Sequence, residues 1–263
     1  MHLVTIAFSH YNDRARWALQ HFGVEFRESG YMPMFHVPGV IRAVGLGGGR
    51  ADRASTRFST PILITDDGEH LRDSALIVRY LDDRFSTAET TLYPPEHEAE
   101  IVEIERRVSE RIGPHARRVA YFHLLQRSDL MVAMARDNVG RIQATLFRVL
   151  RPLLTAALKL VLRIDPRRVE SSMQVIREEI ARLDEHLGSR RYLVGDRFTA
   201  ADLSTACMLA PAIIPSRNEG YGAVLPELNL LSAELRSLVD EMRATAIGTH
   251  ALRMYGRRVG VTE

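Results

Sequence analysis

The sequence predicts a small α/β domain followed by an all-helical domain about twice its size. Three observations carry this. The first third alternates short β-forming runs with an amphipathic helix. A hairpin pattern surrounds Asp66-Asp67-Gly68. Beyond residue 95 the apolar periodicity is helical throughout.

The elements follow in order. Leu3 to Phe8 is a short apolar run rich in β-formers, and Ser9 to Asp13 reads as a polar turn. Arg14 to Phe22 reads as a helix with Ala15, Ala18, Leu19 and Phe22 inward, stopped by Gly23. Val24 to Glu28 is a second strand, so strand, helix and strand suggest a parallel pair with a crossover helix. Ile62 to Thr65 and Glu69 to Leu71 form the hairpin, with Gly68 supplying the positive φ and Pro61 at its head. A helix starts at Ser74 with Leu76, Ile77, Tyr80 and Leu81 on one face. The expected division is a first domain over 1–86, a linker over 87–95 (TAETTLYPP from Thr87) and a helical domain over 96–263.

In the helical part, Pro95 to Leu125 reads as one helix or two, bent at Gly113-Pro114. Arg141 to Arg163 is apolar and basic, with no acid between Asp137 and Asp165 and a kink expected at Pro152. Such a segment suits a bundle or dimer contact, a pocket lid or a membrane surface. Asp165-Pro166 is a helix start, and Val169, Met173, Ile176, Ile180, Leu183 and Leu187 repeat at bundle spacing up to Gly188. Further helices are expected around Ala200–Leu209, Pro226–Met242 and Thr249–Arg257.

Composition bounds the function. The chain has 263 residues, 46% hydrophobic and 26% charged, as a folded soluble domain would. A formal charge of +2 gives nucleic acid no default claim as a partner. Lys159 is the only lysine, which reads as GC-rich codon usage. Cys207 is the only cysteine, so no internal disulfide forms, and its helical surroundings make it a packing residue. The first residues lack a signal-peptide pattern and no apolar run is long enough to span a bilayer, so a cytoplasmic address is expected. No histidine pair has metal-ligand spacing, and no metal is expected.

The most specific stretch is Tyr192-Leu-Val-Gly-Asp-Arg-Phe-Thr-Ala-Ala-Asp-Leu203. It is a helix start with Thr199 at the N-cap, Asp202 at the third helical position, and Phe198 with Leu203 as a staple. This stretch resembles the capping segment in the helical domain of cytosolic glutathione transferases. Ser59-Thr60-Pro61-Ile62-Leu63, with Asp73-Ser74 and the helix after it, resembles that family's cis-proline segment and glutathione-binding helix start. Ser9-His10-Tyr11-Asn12 and the following helix resemble its active-site loop. The resemblance implies a thioredoxin-like N-terminal domain followed by the family's all-helical C-terminal domain.

The residues support this chemistry on their own terms. Ser9 follows a strand and precedes a helix, where backbone amides and the dipole favour an anion. Its hydroxyl can cap the helix, or it can donate to a thiolate and keep that thiolate nucleophilic. The resemblance places Ser9 on the catalytic position and implies glutathione as co-substrate, attacking an apolar electrophile. It also implies a cis Thr60-Pro61 bond that turns the Thr60 backbone toward the tripeptide. Asp73 and Ser74 would hold the γ-glutamyl end. The glycyl carboxylate needs a cation from His36, Arg50, Arg53 or Arg57, with His36 and Arg57 the assigned pair. Tyr11, Asn12 and Tyr121 are assigned to the second-substrate pocket. Met131 and Met134 are pocket-wall or core candidates. Related bacterial members often carry cysteine where this chain has Asn12, so this loop has no thiol for redox chemistry. The resemblance further implies a detoxifying homodimer. The competing readings are a glutathione-dependent isomerase or ether-cleaving enzyme, and a non-catalytic binding protein on the same scaffold.

Overall fold

A computed structural model describes residues 1–45 and 58–260. The first part is a four-stranded mixed sheet with helices on both faces. β1 (His2–Ile6) runs parallel to β2 (Arg27–Tyr31), with α1 (His10–His21) as the crossover. β3 (Ile62–Ile64) pairs antiparallel with β1, and β4 (His70–Leu71) antiparallel with β3, giving the order β2-β1-β3-β4. The pleat sorts the strand residues. Leu3 and Leu63 join the main core with α1 and α3 (Ser74–Phe85). Their neighbours Val4 and Ile62 pack with Val40 and Val44 of α2 (His36–Val44) on the opposite face.

Two boundaries differ from the sequence reading. The turn expected over Ser9 to Asp13 is helical from His10. Its polar residues are consumed internally: Asn12, Asp13, Arg14 and Arg16 are all buried. The second strand lies at Arg27–Tyr31 rather than Val24 to Glu28. Val24 and Phe26 pack against the core from an irregular segment, and the strand itself is a largely polar edge, which carries little apolar alternation to read. α2 was not anticipated. The Thr60-Pro61 bond is cis, as the resemblance implied.

The second part is helical. α4 (Glu98–Arg111) and α5 (Gly113–Leu124) meet at the expected break. A Cβ on Gly113 would stand 2.4 Å from the Tyr11 hydroxyl and 2.8 Å from Met208 Sδ, so only glycine permits that approach. α6 (Ser128–Val139) and α7 (Arg141–Val161) are separated by Gly140, whose φ is 85°. α8 (Pro166–Leu187) buries every residue of its predicted stripe. α9 (Ala200–Ile213) is buried on all sides, in contact with α1, α4, α5, α10 (Ala233–Arg243) and α11 (Ala246–Arg258), and forms the centre of the bundle. Its start is the predicted cap: Asp202 accepts from the Thr199 amide at 3.0 Å and from the Leu193 amide at 2.9 Å. Before α10, Leu228–Leu230 forms a short 3-10 turn in place of the earlier helix start expected near Pro226.

α7 runs on through Pro152 and buries only Ala144, Phe147, Leu154 and Leu158. Its other side exposes Ile142, Val149, Leu153 and Leu160, each more than two-thirds accessible. Among the described residues no helix is long and apolar enough to cross a membrane.

Candidate functional site

A cavity of about 820 Å3 opens where the sheet meets the helical bundle. Ser9, Thr60, Pro61, Asp73 and Ser74 all line it, as do His36, Tyr11 and Tyr121. Residues from five separated segments of the chain therefore converge on one space. Arg50, Arg53 and Arg57 lie outside the described residues.

Ser9 stands at the N-cap of α1, yet its side chain makes no cap hydrogen bond. Its hydroxyl has no partner among the described residues and faces the cavity. The competing hydroxyl in the loop is engaged: Tyr11 donates to the Ser109 carbonyl at 3.3 Å. Burial raises the Tyr11 phenol above its ordinary range, so it stays protonated. Asn12, expected on the second-substrate wall, is fully buried and absent from the cavity lining. Its amide donates to the Ile6 carbonyl at 2.9 Å and to Thr60 Oγ1 at 3.1 Å. Asn12 thus ties the end of β1 to the residue before the cis proline. The short polar side chain faces those two acceptors inside the fold, which keeps it off the wall.

At the start of α3 the Asp73 carboxylate accepts from the Ala75 amide at 2.7 Å and caps the helix. The Ser74 hydroxyl accepts from Arg14 Nε at 3.0 Å and from Arg14 Nη2 at 2.6 Å. Arg14, which the sequence reading did not select, is 1% exposed and spans the two parts of the molecule. It also donates to Ser109 at 3.0 Å and Ser204 at 3.3 Å, and lies 3.5 Å from Glu105. Burial pushes the Glu105 carboxyl up, opposed by Arg14 and by hydrogen bonds from Tyr93 and Ser204. One signal could have found Arg14: it lies four residues before Ala18, on the inward stripe of α1.

His36 reaches the cavity as a neutral imidazole, because burial lowers its pKa. Its Nε2–H donates to the Phe58 carbonyl at 3.1 Å, which leaves Nδ1 as a buried acceptor without a partner. In this state His36 is not the cation expected for the glycyl carboxylate. Arg72, the residue before Asp73 in the chain, also lines the cavity and was also missed.

The half of the cavity built by the helical part is mostly apolar. Tyr121, Leu124, Met131, Met134, Leu158 and Leu162 line it, while Phe122 and His123 do not. Burial pushes the Tyr121 phenol up to about 12. His10 also faces this region, and burial together with the Arg117 and Arg14 cations holds its imidazole well below the usual histidine range. Cys207 is fully buried and its thiol is raised far out of reactive range by that burial. Among the described residues no group of His, Cys, Asp and Glu could hold a metal ion.

Comparisons with known proteins agree with this geometry. The family model of the glutathione S-transferase N-terminal domain matches residues 8–84, and that of the C-terminal domain matches 166–233. Among solved structures, a glutathione S-transferase of Ceriporiopsis subvermispora in complex with glutathione aligns with a TM-score of 0.61 at 18% identity, over 100% of this chain and 98% of its own. A glutathione S-transferase domain-containing protein of Marinobacter aquaeolei VT8 aligns with a TM-score of 0.54 at 18% identity, over 94% and 100%. Gtt2 of Saccharomyces cerevisiae does so with a TM-score of 0.54 at 17% identity, over 95% and 100%. At these identities the solved structures share the fold. No curated protein matches the chain significantly.

Proposed function

The chain belongs to the glutathione S-transferase superfamily, and we propose that it is a glutathione transferase conjugating the tripeptide's thiolate to an apolar electrophile. The single observation that carries this reading is the unpartnered Ser9 hydroxyl in the cavity wall, beside the amides at the start of α1. A neutral hydroxyl there donates to the thiolate, and the helix N-terminus adds its field. Both terms favour the ionised sulfur at neutral pH, where free thiol would predominate. The sulfur attacks the electrophilic carbon in the apolar half of the cavity, and a leaving group departs or a π-bond takes up the electron pair.

The remaining assignments share this premise. The Thr60 backbone next to the cis proline pairs with the cysteinyl backbone. The Asp73 carboxylate pairs with the γ-glutamyl ammonium, and Ser74 with the amides at the start of α3 takes its carboxylate. Arg57 or Arg72 meets the glycyl carboxylate. Tyr11 and Tyr121 bound the electrophile. Solved relatives with glutathione bound support the ligand class. The proposal extends to a cytoplasmic, detoxifying homodimer, for which sedimentation should report twice the monomer mass.

Calorimetry with glutathione should give a Kd of about 10 µM to 1 mM, or roughly 4–7 kcal/mol. Conjugation of a generic aryl halide should accompany it. Binding with turnover of a cis-enone or an aryl ether instead would favour the isomerase or ether-cleaving class. No binding at millimolar ligand would leave a non-catalytic scaffold.

A further inference from the structure

The electrophile half of the cavity holds a cation with no anion. Arg117 of α5 lines the cavity, four residues from both Gly113 and Tyr121 and on their face of the helix. It makes no ion pair and no hydrogen bond with any described residue, and its Nε is buried without a partner. Its one specific contact is the Tyr11 ring, with the guanidinium 5.7 Å from the ring centroid. The neighbouring arginines behave differently. Arg106 is held by Glu103 and Glu110, Arg107 by Glu179, Arg111 by Glu178, and Arg118 by Ser172 and the Leu162 carbonyl. A guanidinium with a desolvated, unpaired N–H is costly unless something else completes it.

Two more polar atoms share this half without partners. His10 is 3% exposed and its Nε2 is buried and unpartnered. The Tyr121 hydroxyl makes no hydrogen bond among the described residues. Neither group supplies a negative charge at neutral pH, since His10 is neutral and Tyr121 keeps its proton. The walls around them are Leu124, Met131, Met134, Leu158 and Leu162. The acids that also line the cavity are taken: Glu105 by Arg14, Tyr93 and Ser204, Glu110 by Arg106, and Asp73 by the Ala75 and Leu76 amides.

We propose that the second substrate couples an apolar body to a carboxylate, and that the carboxylate pairs with Arg117. The guanidinium offers two parallel N–H groups to the two oxygens, with the Tyr121 hydroxyl as a further donor. The apolar body lies on Met131 and Met134, whose flexible side chains adapt to its shape. This inference rests on the transferase reading for the reaction, but the carboxylate subsite can be tested apart from it.

Ethacrynate is a suitable probe, since it joins a vinyl ketone to an aryloxyacetate carboxylate. The glutathione sulfur bonds to the terminal vinyl carbon, the π-electron pair moves to the ketone as an enolate, and water returns a proton to the α-carbon. The methyl ester reacts identically but is uncharged. The enzyme should favour the acid over the ester at least about tenfold in kcat/KM after subtraction of the uncatalysed rate, mainly through KM. Arg117→Met should collapse this ratio toward one, and Arg117→Lys should restore part of it. Dihydroethacrynate, which cannot react, gives a readout independent of turnover. Its affinity in calorimetry without glutathione should fall about tenfold or more in Arg117→Met, while the affinity of its methyl ester should be little affected. An acid-to-ester ratio near one in the unmutated protein overturns the inference, as does dihydroethacrynate binding that survives Arg117→Met. Failure of glutathione to bind would overturn the transferase reading alone, because the dihydroethacrynate measurement would still decide the carboxylate subsite.

Discussion

Ser9 heads a helix without capping it, and that separates the role proposed for it from any structural one. The α1 amides gain no hydrogen bond from its hydroxyl. Ser9→Ala should therefore leave the thermal midpoint nearly unchanged. It should lower kcat/KM for a generic aryl halide about tenfold or more, some 1.4 kcal/mol, the scale of a hydrogen bond to a charged group. Full activity in Ser9→Ala together with a dead Tyr11→Phe would transfer the role to Tyr11. Ser9, Thr60-Pro61 and Asp73-Ser74 were legible in the sequence because each belongs to a local device: a strand-to-helix turn, an X-Pro bond or an N-cap. Arg14 was not, since its partners Ser109 and Ser204 are 95 and 190 residues away along the chain. Asn12 was misread for a related reason. Nothing in the Ser9-to-Asn12 segment says that Thr60 will stand within 3.1 Å of its amide.

At the scale of elements, stripes of regular period were readable and polar helix faces were not. α8 and α9 follow directly from their caps and apolar spacing. The first turn of α1 reads as a polar turn because its polar residues look solvated, although partners distant in the chain, Thr60 for Asn12 and Gly222 with Arg258 for Asp13, bury them. α7 gives a sharper case, since its apolar residues exceed what one packed face can use. Leu154 is buried and Leu153, its neighbour, is 69% exposed. Leu154→Ala should cost about 2–5 kcal/mol in urea denaturation. Leu153→Ala should stay within about 0.5 kcal/mol. Equal losses at the two positions would mean that the exposed side is covered in solution. The junction of α4 and α5 offers a functional counterpart. Gly113→Ala would force its Cβ onto the Tyr11 hydroxyl, displacing a ring that lines the cavity. KM for the electrophile should rise by more than the Kd for glutathione, as titration of each ligand would reveal.

At the scale of the molecule, the two parts are joined by buried charge. Asp13 is fully buried and accepts from Arg16 at 2.9 Å, from Arg258 of α11 at 3.0 Å and from the Gly222 amide at 3.2 Å. Tyr221 reaches back to donate to the Phe8 carbonyl at 3.0 Å. Gln143 of α7 accepts from the Met32 amide at 3.0 Å. Asp13→Ala strips the Arg258 guanidinium of its carboxylate and leaves Arg16 with Glu28 alone, and should destabilise the whole fold by about 3–5 kcal/mol, read as a shifted denaturant midpoint.

The same burial makes stability depend on pH with a definite sign. His10, His21, His36, His115 and His123 all have pKa values lowered from 6.5, with desolvation the largest cause for each. Once unfolded, each takes up a proton near 6.5, so below that pH the unfolded chain binds more protons than the folded one. Their contribution is fully present above about pH 6.5 and is lost as the pH falls. Burial raises Glu105 and Asp82, and each opposes this between its raised folded value and its ordinary 4.5 or 3.8. Five histidines stand against these two carboxyls, and the net expectation is a loss of stability toward acid. His10 alone, held well below its ordinary value, should cost about 1 kcal/mol between neutral pH and about pH 5.5. Thermal melts should show a falling midpoint over that interval, and a shallower fall in His10→Asn, which cannot titrate. A midpoint that held constant to about pH 5.5 would require His10 to be charged in the folded protein, contrary to an imidazole buried beside Arg14 and Arg117.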